Sequence, residues 1–232
     1  MIPIRDDTPR FSTPFVTYFL IVMNLLIFLF EASLTPRGLD LLVRQFAVIP
    51  SRITGFLGGN PRIDAASAIV PVFTSMFLHG SWLHVIGNMW FLWIFGDNIE
   101  DYLGHFKYLV FYLVSGVAAM FLQVALTPTS NVPNLGASGA IAGVLGAYFI
   151  LYPRARVLTW FPILFLFYLP AWIMLGYWFV VQFLSGAATA VTYAEQTRAG
   201  GVAFWAHVGG FVAGIVLVKV MPPRPRRYSY GA

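Results

Sequence analysis

Long apolar runs separated by short polar segments dominate the chain. They predict six membrane-spanning helices, at about residues 14–34, 71–96, 107–127, 136–152, 159–185 and 202–221. Charge enters these limits only at Glu31, Lys107 and Lys219, each near an end. The fifth run is long and rich in Phe, Tyr and Trp, and Pro170 is expected to kink it. Residues 35–70 form one long loop, in which Leu39–Phe46 is amphipathic and expected to lie in the membrane interface. No internal repeat or low-complexity segment interrupts this pattern. The expectation is an all-α membrane protein: a tail over 1–13, one six-helix membrane domain over 14–221 and a basic tail over 222–232.

Composition sharpens the class. The 232 residues are 59% hydrophobic and 10% charged, with a mean hydropathy of +0.76, against about 25% charged residues in a soluble domain. The absence of cysteine excludes disulfides, thiolate metal sites and a cysteine nucleophile. The net charge of +5 is not a nucleic-acid footprint, because the basic residues lie in short loops and at the tail. Arg5, Arg10, Lys107, Arg154, Arg156, Lys219, Arg224, Arg226 and Arg227 fall on the N-terminal side of the membrane. Arg37, Arg44, Arg52, Arg62 and Arg198 fall opposite, four of them in the long loop where the positive-inside rule is weakest. Both termini are therefore expected in the cytoplasm, in a bacterial inner membrane. Asp6 and Asp7 ahead of the first run argue for a retained helix rather than a cleaved signal.

Parity then aligns the polar residues. Spans two, four and six run in the same direction, so Ser138 at the start of span four, His207 early in span six, and His84 with Asn88 in span two arrive at similar depth. Gly136, Gly139, Gly143 and Gly146 form a smooth stripe on span four. Ala203, Gly210 and Gly214 share a face with His207, so spans four and six can approach closely. A serine in such a helix is ordinarily a packing residue, and a lone intramembrane histidine is ordinarily bonded to a carbonyl. Together they supply a nucleophile and its general base, a dyad without a buried carboxylate. His84 and Asn88, four residues apart, would be donors for a developing oxyanion, along with the Ser138 N–H. A metal site is disfavoured: His79 and His84 would stand roughly 140° apart on one helix, and Glu100 roughly 24 Å from His84. Asp97, Asn98, Glu100 and Asp101 are expected to solvate or anchor the far end of span two.

Phe77–Asn88, Gly136-Ala-Ser-Gly139 and His207-Val-Gly-Gly210 with Gly214 resemble the rhomboid family of intramembrane serine proteases. The likeness runs from about residue 13 to 221. It implies a rhomboid-like six-helix bundle in which Ser138 is the nucleophile and His207 the base, with His84 and Asn88 around the oxyanion. It further implies hydrolysis of single-pass membrane proteins near the outer face of the bilayer, with transmembrane substrates and lipid as partners and no cofactor. Two positions depart from the family pattern. Ile69-Val-Pro-Val72 stands where members often carry Trp-Arg, and Ala142 stands where some carry an aromatic that stacks on the base. Phe204 and Trp205 are the expected substitutes for that aromatic. Residues 186–201 are a candidate cap over the site. The alternatives are a non-catalytic rhomboid-like binder of membrane proteins and, third, a small-solute transporter.

Overall fold

The computed structural model describes residues 1–161, 165–191 and 203–225, and 69% of it is helix. Its elements are strand β1 (Ile2–Asp6), helices α1 (Phe15–Ser33), α2 (Pro36–Phe46), α3 (Pro50–Leu57) and α4 (Ala65–Thr74), and a 3-10 turn at Ser75–Phe77. There follow α5 (Trp82–Leu103), α6 (His105–Leu126), α7 (Ser138–Leu151), strands β2 (Arg156–Phe161) and β3 (Phe165–Pro170), α8 (Ala171–Val191) and α9 (Phe204–Val220). Among the described residues, three helices are long and apolar enough to cross a membrane: α1, α6 and the Ala171–Ala188 part of α8. A fourth span results if α4 with its 3-10 turn and α5, bent by 75°, are taken together. Helices α7 and α9 are apolar but shorter, 14 and 17 residues.

Two of the apolar runs fold differently from a simple helix. The second, expected as one helix over 71–96, is broken. Pro71 lies inside α4, the chain leaves the helical path at Leu78–Ser81, and α5 restarts at Trp82. The Ser81 hydroxyl caps it by accepting the His84 N–H at 3.2 Å. Helix α1 pins the break: the buried Glu31 carboxylate accepts the His79 N–H at 3.1 Å. His79 thus lies outside α5, and the angular separation expected for it and His84 on one helix does not hold. Their rings are 5.1 Å apart.

The fifth run, expected as a kinked helix over 159–185, begins as β-structure. Strands β2 and β3 pair antiparallel, with Arg156 opposite Pro170, and β1 joins the other edge of β2. Val157, Thr159 and the aromatic residues of both strands suit a pleated ladder, and Pro170 sits at the strand end, where its missing N–H costs nothing. Helix α8 then starts afresh, its Ala171 and Trp172 N–H groups taken by the carbonyls of Ala155 and Pro153. The fold is therefore mostly helical rather than all-α. Residues 1–13, expected as a tail, are tied down: the Trp90 indole donates to the Pro3 carbonyl at 2.6 Å, and Asp6 accepts from the buried Tyr148 hydroxyl. Burial pushes the Asp6 carboxyl above its ordinary range, whereas the Arg156 guanidinium bonded to Asp7 holds that carboxyl below its own.

The end of the bundle away from Ser138 is held by ionic and capping bonds. Glu100, fully buried on α5, accepts the Val16 N–H at 2.9 Å, the Thr17 N–H at 2.8 Å and the Thr17 hydroxyl at 2.7 Å. It thereby satisfies donors that the first turn of α1 would leave orphaned. Asp101 accepts from Ser12 and Arg224, and the Arg224 N–H reaches the Tyr102 carbonyl. Both flanks of the bundle are thus fastened to the C-terminal end of α5. Glu100→Ala should lower the unfolding free energy by about 2–4 kcal/mol, because it strands buried donors. Chaotrope unfolding in detergent checks this, and a shift near zero would contradict the capping role.

Helix α7 is the centre of the bundle, with every residue from Gly139 to Tyr148 buried. It is apolar all round, as a fully enclosed helix must be. Helix α9 lies directly on it. A methyl group at Gly146 would overlap the Phe211 carbonyl, one at Gly210 the Gly139 carbonyl, and one at Gly214 the Gly143 carbonyl. The two backbones touch. Gly210→Ala and Gly214→Ala should each destabilise by about 1–3 kcal/mol through overpacking. Gly87→Ala, where a methyl meets nothing within 4 Å, is the control and should not destabilise. Equal effects of all three in the same unfolding assay would refute the close contact.

Candidate active site

Ser138 is the first residue of α7. Its N–H is among those at a helix start for which no intrahelical carbonyl is available. The loop before it is fixed by the Gly136 N–H bonded to the Ser75 carbonyl at 2.8 Å. Asn134 pairs with Val48 of the long loop as an isolated antiparallel bridge. That bridge, the Ser51 N–H to Ser130 carbonyl bond and the Thr54 hydroxyl on the Pro128 carbonyl brace residues 35–70 against this loop. They do so without the Trp-Arg pair common in the family.

The contact between α7 and α9 brings the Ser138 hydroxyl to 2.7 Å from His207 Nε2. Both side chains are half-buried and line a cavity of about 640 Å³ with His84, Asn88, Phe91, Met120, Trp178 and Gln182. His84 sits in the first turn of α5. Its Nδ1 faces the Gly80 N–H at 3.4 Å, an arrangement that leaves the ring proton on Nε2. That nitrogen lies against Gly136, where a Cβ would come within 2.7 Å of it; Gly136 also has φ +125°, so glycine is required twice over. One turn further along α5, Asn88 is buried and its Nδ2 has no hydrogen-bond partner among the described residues. Two side-chain donors therefore border the cavity that holds the hydroxyl. The four site residues chosen from sequence lie together around one space.

One expectation for the surroundings of His207 needs correction. Trp205, one of the two aromatics expected there, packs edge-on against Phe183. Trp178 of α8 faces the imidazole instead, ring centroids 5.7 Å apart and 37° between planes. The carboxylates buried in the bundle, Glu31 and Glu100, bond to the His79 N–H and to the start of α1, away from His207. The second nitrogen of His207, Nδ1, lies 2.7 Å from Gln182 Oε1, a contact not foreseen. An amide in an apolar span is costly unless it is bonded, and that signal could have singled out Gln182. Of the candidate cap, residues 186–191 extend α8, and 192–201 lie outside the described residues. An imidazole nitrogen at this distance can take a proton from the hydroxyl, and the donors can hold an anionic oxygen formed next to it.

Comparison with known proteins gives the chain its relatives. The Rhomboid domain family model matches residues 66–224. Rhomboid protein 1, mitochondrial, of Saccharomyces cerevisiae is 31% identical over 157 residues, 66% of this chain and 42% of its own. Rhomboid-like protein 11, chloroplastic, of Arabidopsis thaliana is 32% identical over 157 residues, 66% of this chain and 52% of its own. The presenilin-associated rhomboid-like protein, mitochondrial, of Homo sapiens is 33% identical over 153 residues, 62% and 36% of the two chains. The chain thus spans about half or less of the length of these relatives. Their names correct the expected location: they are mitochondrial or chloroplastic proteins, which points to an organellar membrane and not to a bacterial inner membrane. Charge bias between loops orders the two sides of a bilayer and carries no mark of which bilayer it is. With its motifs, its mostly helical bundle and a domain match over more than half its length, the chain belongs to the rhomboid family.

Proposed function

We propose that the chain is an intramembrane serine endopeptidase that hydrolyses peptide bonds of single-pass membrane proteins near the membrane face where Ser138 lies. The observation that carries this reading is the 2.7 Å contact between the Ser138 hydroxyl and His207 Nε2 inside an open cavity. In the reaction, Ser138 Oγ attacks the scissile carbonyl carbon while its proton passes to His207 Nε2. The carbonyl oxygen becomes an oxyanion beside Asn88 Nδ2, His84 Nε2–H and the Ser138 N–H. His207 returns the proton to the leaving amine, the C–N bond breaks, and an acyl ester on Ser138 remains. Water then attacks the ester as His207 takes its proton; the ester C–O bond breaks, the proton passes to Ser138 Oγ and the second fragment leaves with a new carboxyl group.

The bundle is read as a single membrane domain over residues 14–221 with six spans: α1, the bent α4–α5 pair, α6, α7, α8 and α9. Helices α7 and α9 are about 21 and 25 Å long, below the roughly 30 Å of a hydrocarbon core. Enclosure of α7 by its neighbours supports counting it all the same, since it has no lipid to match. The substrate class rests on the family and on the apolar surroundings of the cavity. Relatives named as presenilin-associated support membrane-protein interaction for this chain too.

A transmembrane reporter in liposomes with the purified protein tests the reading. Wild type should cut it, Ser138→Ala and His207→Ala should abolish cleavage, and persistence of cleavage in either variant would refute the pair. Asn88→Ala should lower turnover by about 10² to 10³, as loss of one oxyanion donor does. Unchanged turnover would remove Asn88 from the mechanism. A non-catalytic rhomboid-like binder would hold the reporter and cut nothing, with the same occupancy in wild type and Ser138→Ala.

A further inference from the structure

We infer that Gln182 is the positioning residue of His207: its amide oxygen accepts the Nδ1–H and so leaves the Nε2 lone pair directed at the Ser138 hydroxyl. This rests on the reading of Ser138 and His207 as a catalytic pair and adds a third member to it. A neutral imidazole has one N–H and one lone pair, and the partner of one nitrogen decides the state of the other. In His207 the Nδ1 faces Gln182 Oε1 at 2.7 Å and the Nε2 faces Ser138 Oγ at 2.7 Å. An amide oxygen has only lone pairs, so the proton belongs on Nδ1. The opposite tautomer would place a hydrogen on Nε2 and leave no base for the serine.

The surroundings single out Gln182 for this task. It is the one amide side chain in α8, which is otherwise apolar and aromatic with a few hydroxyls. Trp178, one turn earlier on the same face, lies against the ring of His207. Together the two residues grip the imidazole from α8. From α7 it receives no such support: the position one turn after Ser138 is Ala142, too small to stack on it. The serine and the base therefore come from α7 and α9, while α8 orients the base.

Three substitutions separate this role from simple packing. Gln182→Leu keeps the shape without the acceptor, Gln182→Met is a second apolar variant should the branched side chain fit poorly, and Gln182→Glu can only accept. With the reporter, Gln182→Leu and Gln182→Met should lower kcat about 10- to 100-fold, as loss of one short hydrogen bond does, with KM within about twofold. Gln182→Glu should recover most of the rate, because a carboxylate offers the same acceptor. In ¹⁵N-histidine-labelled protein, the His207 resonances, identified by their loss in His207→Ala, should show the proton on Nδ1 in wild type and Gln182→Glu. The apolar variants should show a mixture of tautomers. A proton on Nε2 in wild type, or an unchanged tautomer and kcat in both apolar variants, would overturn the proposal. Wild-type protein that cuts nothing would defeat the peptidase reading instead, and the tautomer would then decide the role of Gln182 alone.

Discussion

Backbone contact between α7 and α9 is the constraint on which the rest of the structure depends. It exists because Gly146, Gly210 and Gly214 have no side chain where the facing carbonyl passes. Helices with ordinary side chains at the contact keep their axes about 8–10 Å apart. Closer approach lets a serine at the start of one helix and a histidine one turn into the other meet at hydrogen-bond distance. In a bilayer, where apolar burial between helices gains little over lipid, such packing is itself a main source of association.

The other elements serve this pair from two directions. At the site end, the break between α4 and α5 lets the chain turn, so that Ser81 caps α5 and His84 faces the cavity from its first turn. Glu31 holds that break from α1, and the bridge between Val48 and Asn134 holds the loop that delivers Ser138. At the far end, Glu100 and Asp101 gather the start of α1 and the segment after α9 onto α5. Polar bonds thus fasten the periphery, while the centre is packed by small apolar residues. The asymmetry suits the proposed chemistry, which needs an accessible cavity at one end and a rigid base at the other.

The sequence made some of this legible and hid the rest for physical reasons. Small residues at spacings of three and four, with a hydroxyl and an imidazole among them, announced a close helix pair, because that spacing has few other uses in apolar segments. Hydropathy alone could not reveal the break at Leu78–Ser81, since the residues on either side remain apolar through the bend. The pairing of β2 with β3 was hidden likewise: Val157, Trp160, Phe165 and Phe167 fit a lipid-facing helix as well as a strand. Pro170 was the clue, marking an end where a kink was expected. Gln182 carries a weak signal in the sequence, because a single uncharged amide changes neither the charge pattern nor the mean hydropathy of an aromatic span. The charge bias of the loops ordered the two sides, and only the relatives bore on the membrane.

If the proposed chemistry holds, His207 makes Ser138 a nucleophile within the membrane. The most direct measurement of this is the site of covalent attachment of a fluorophosphonate, read by mass spectrometry of peptides from wild type, Ser138→Ala and His207→Ala in detergent micelles. One phosphonyl group is expected on the peptide containing Ser138 in wild type and none in either variant. Attachment at another residue, or at Ser138 with equal speed when His207 is absent, would contradict that chemistry.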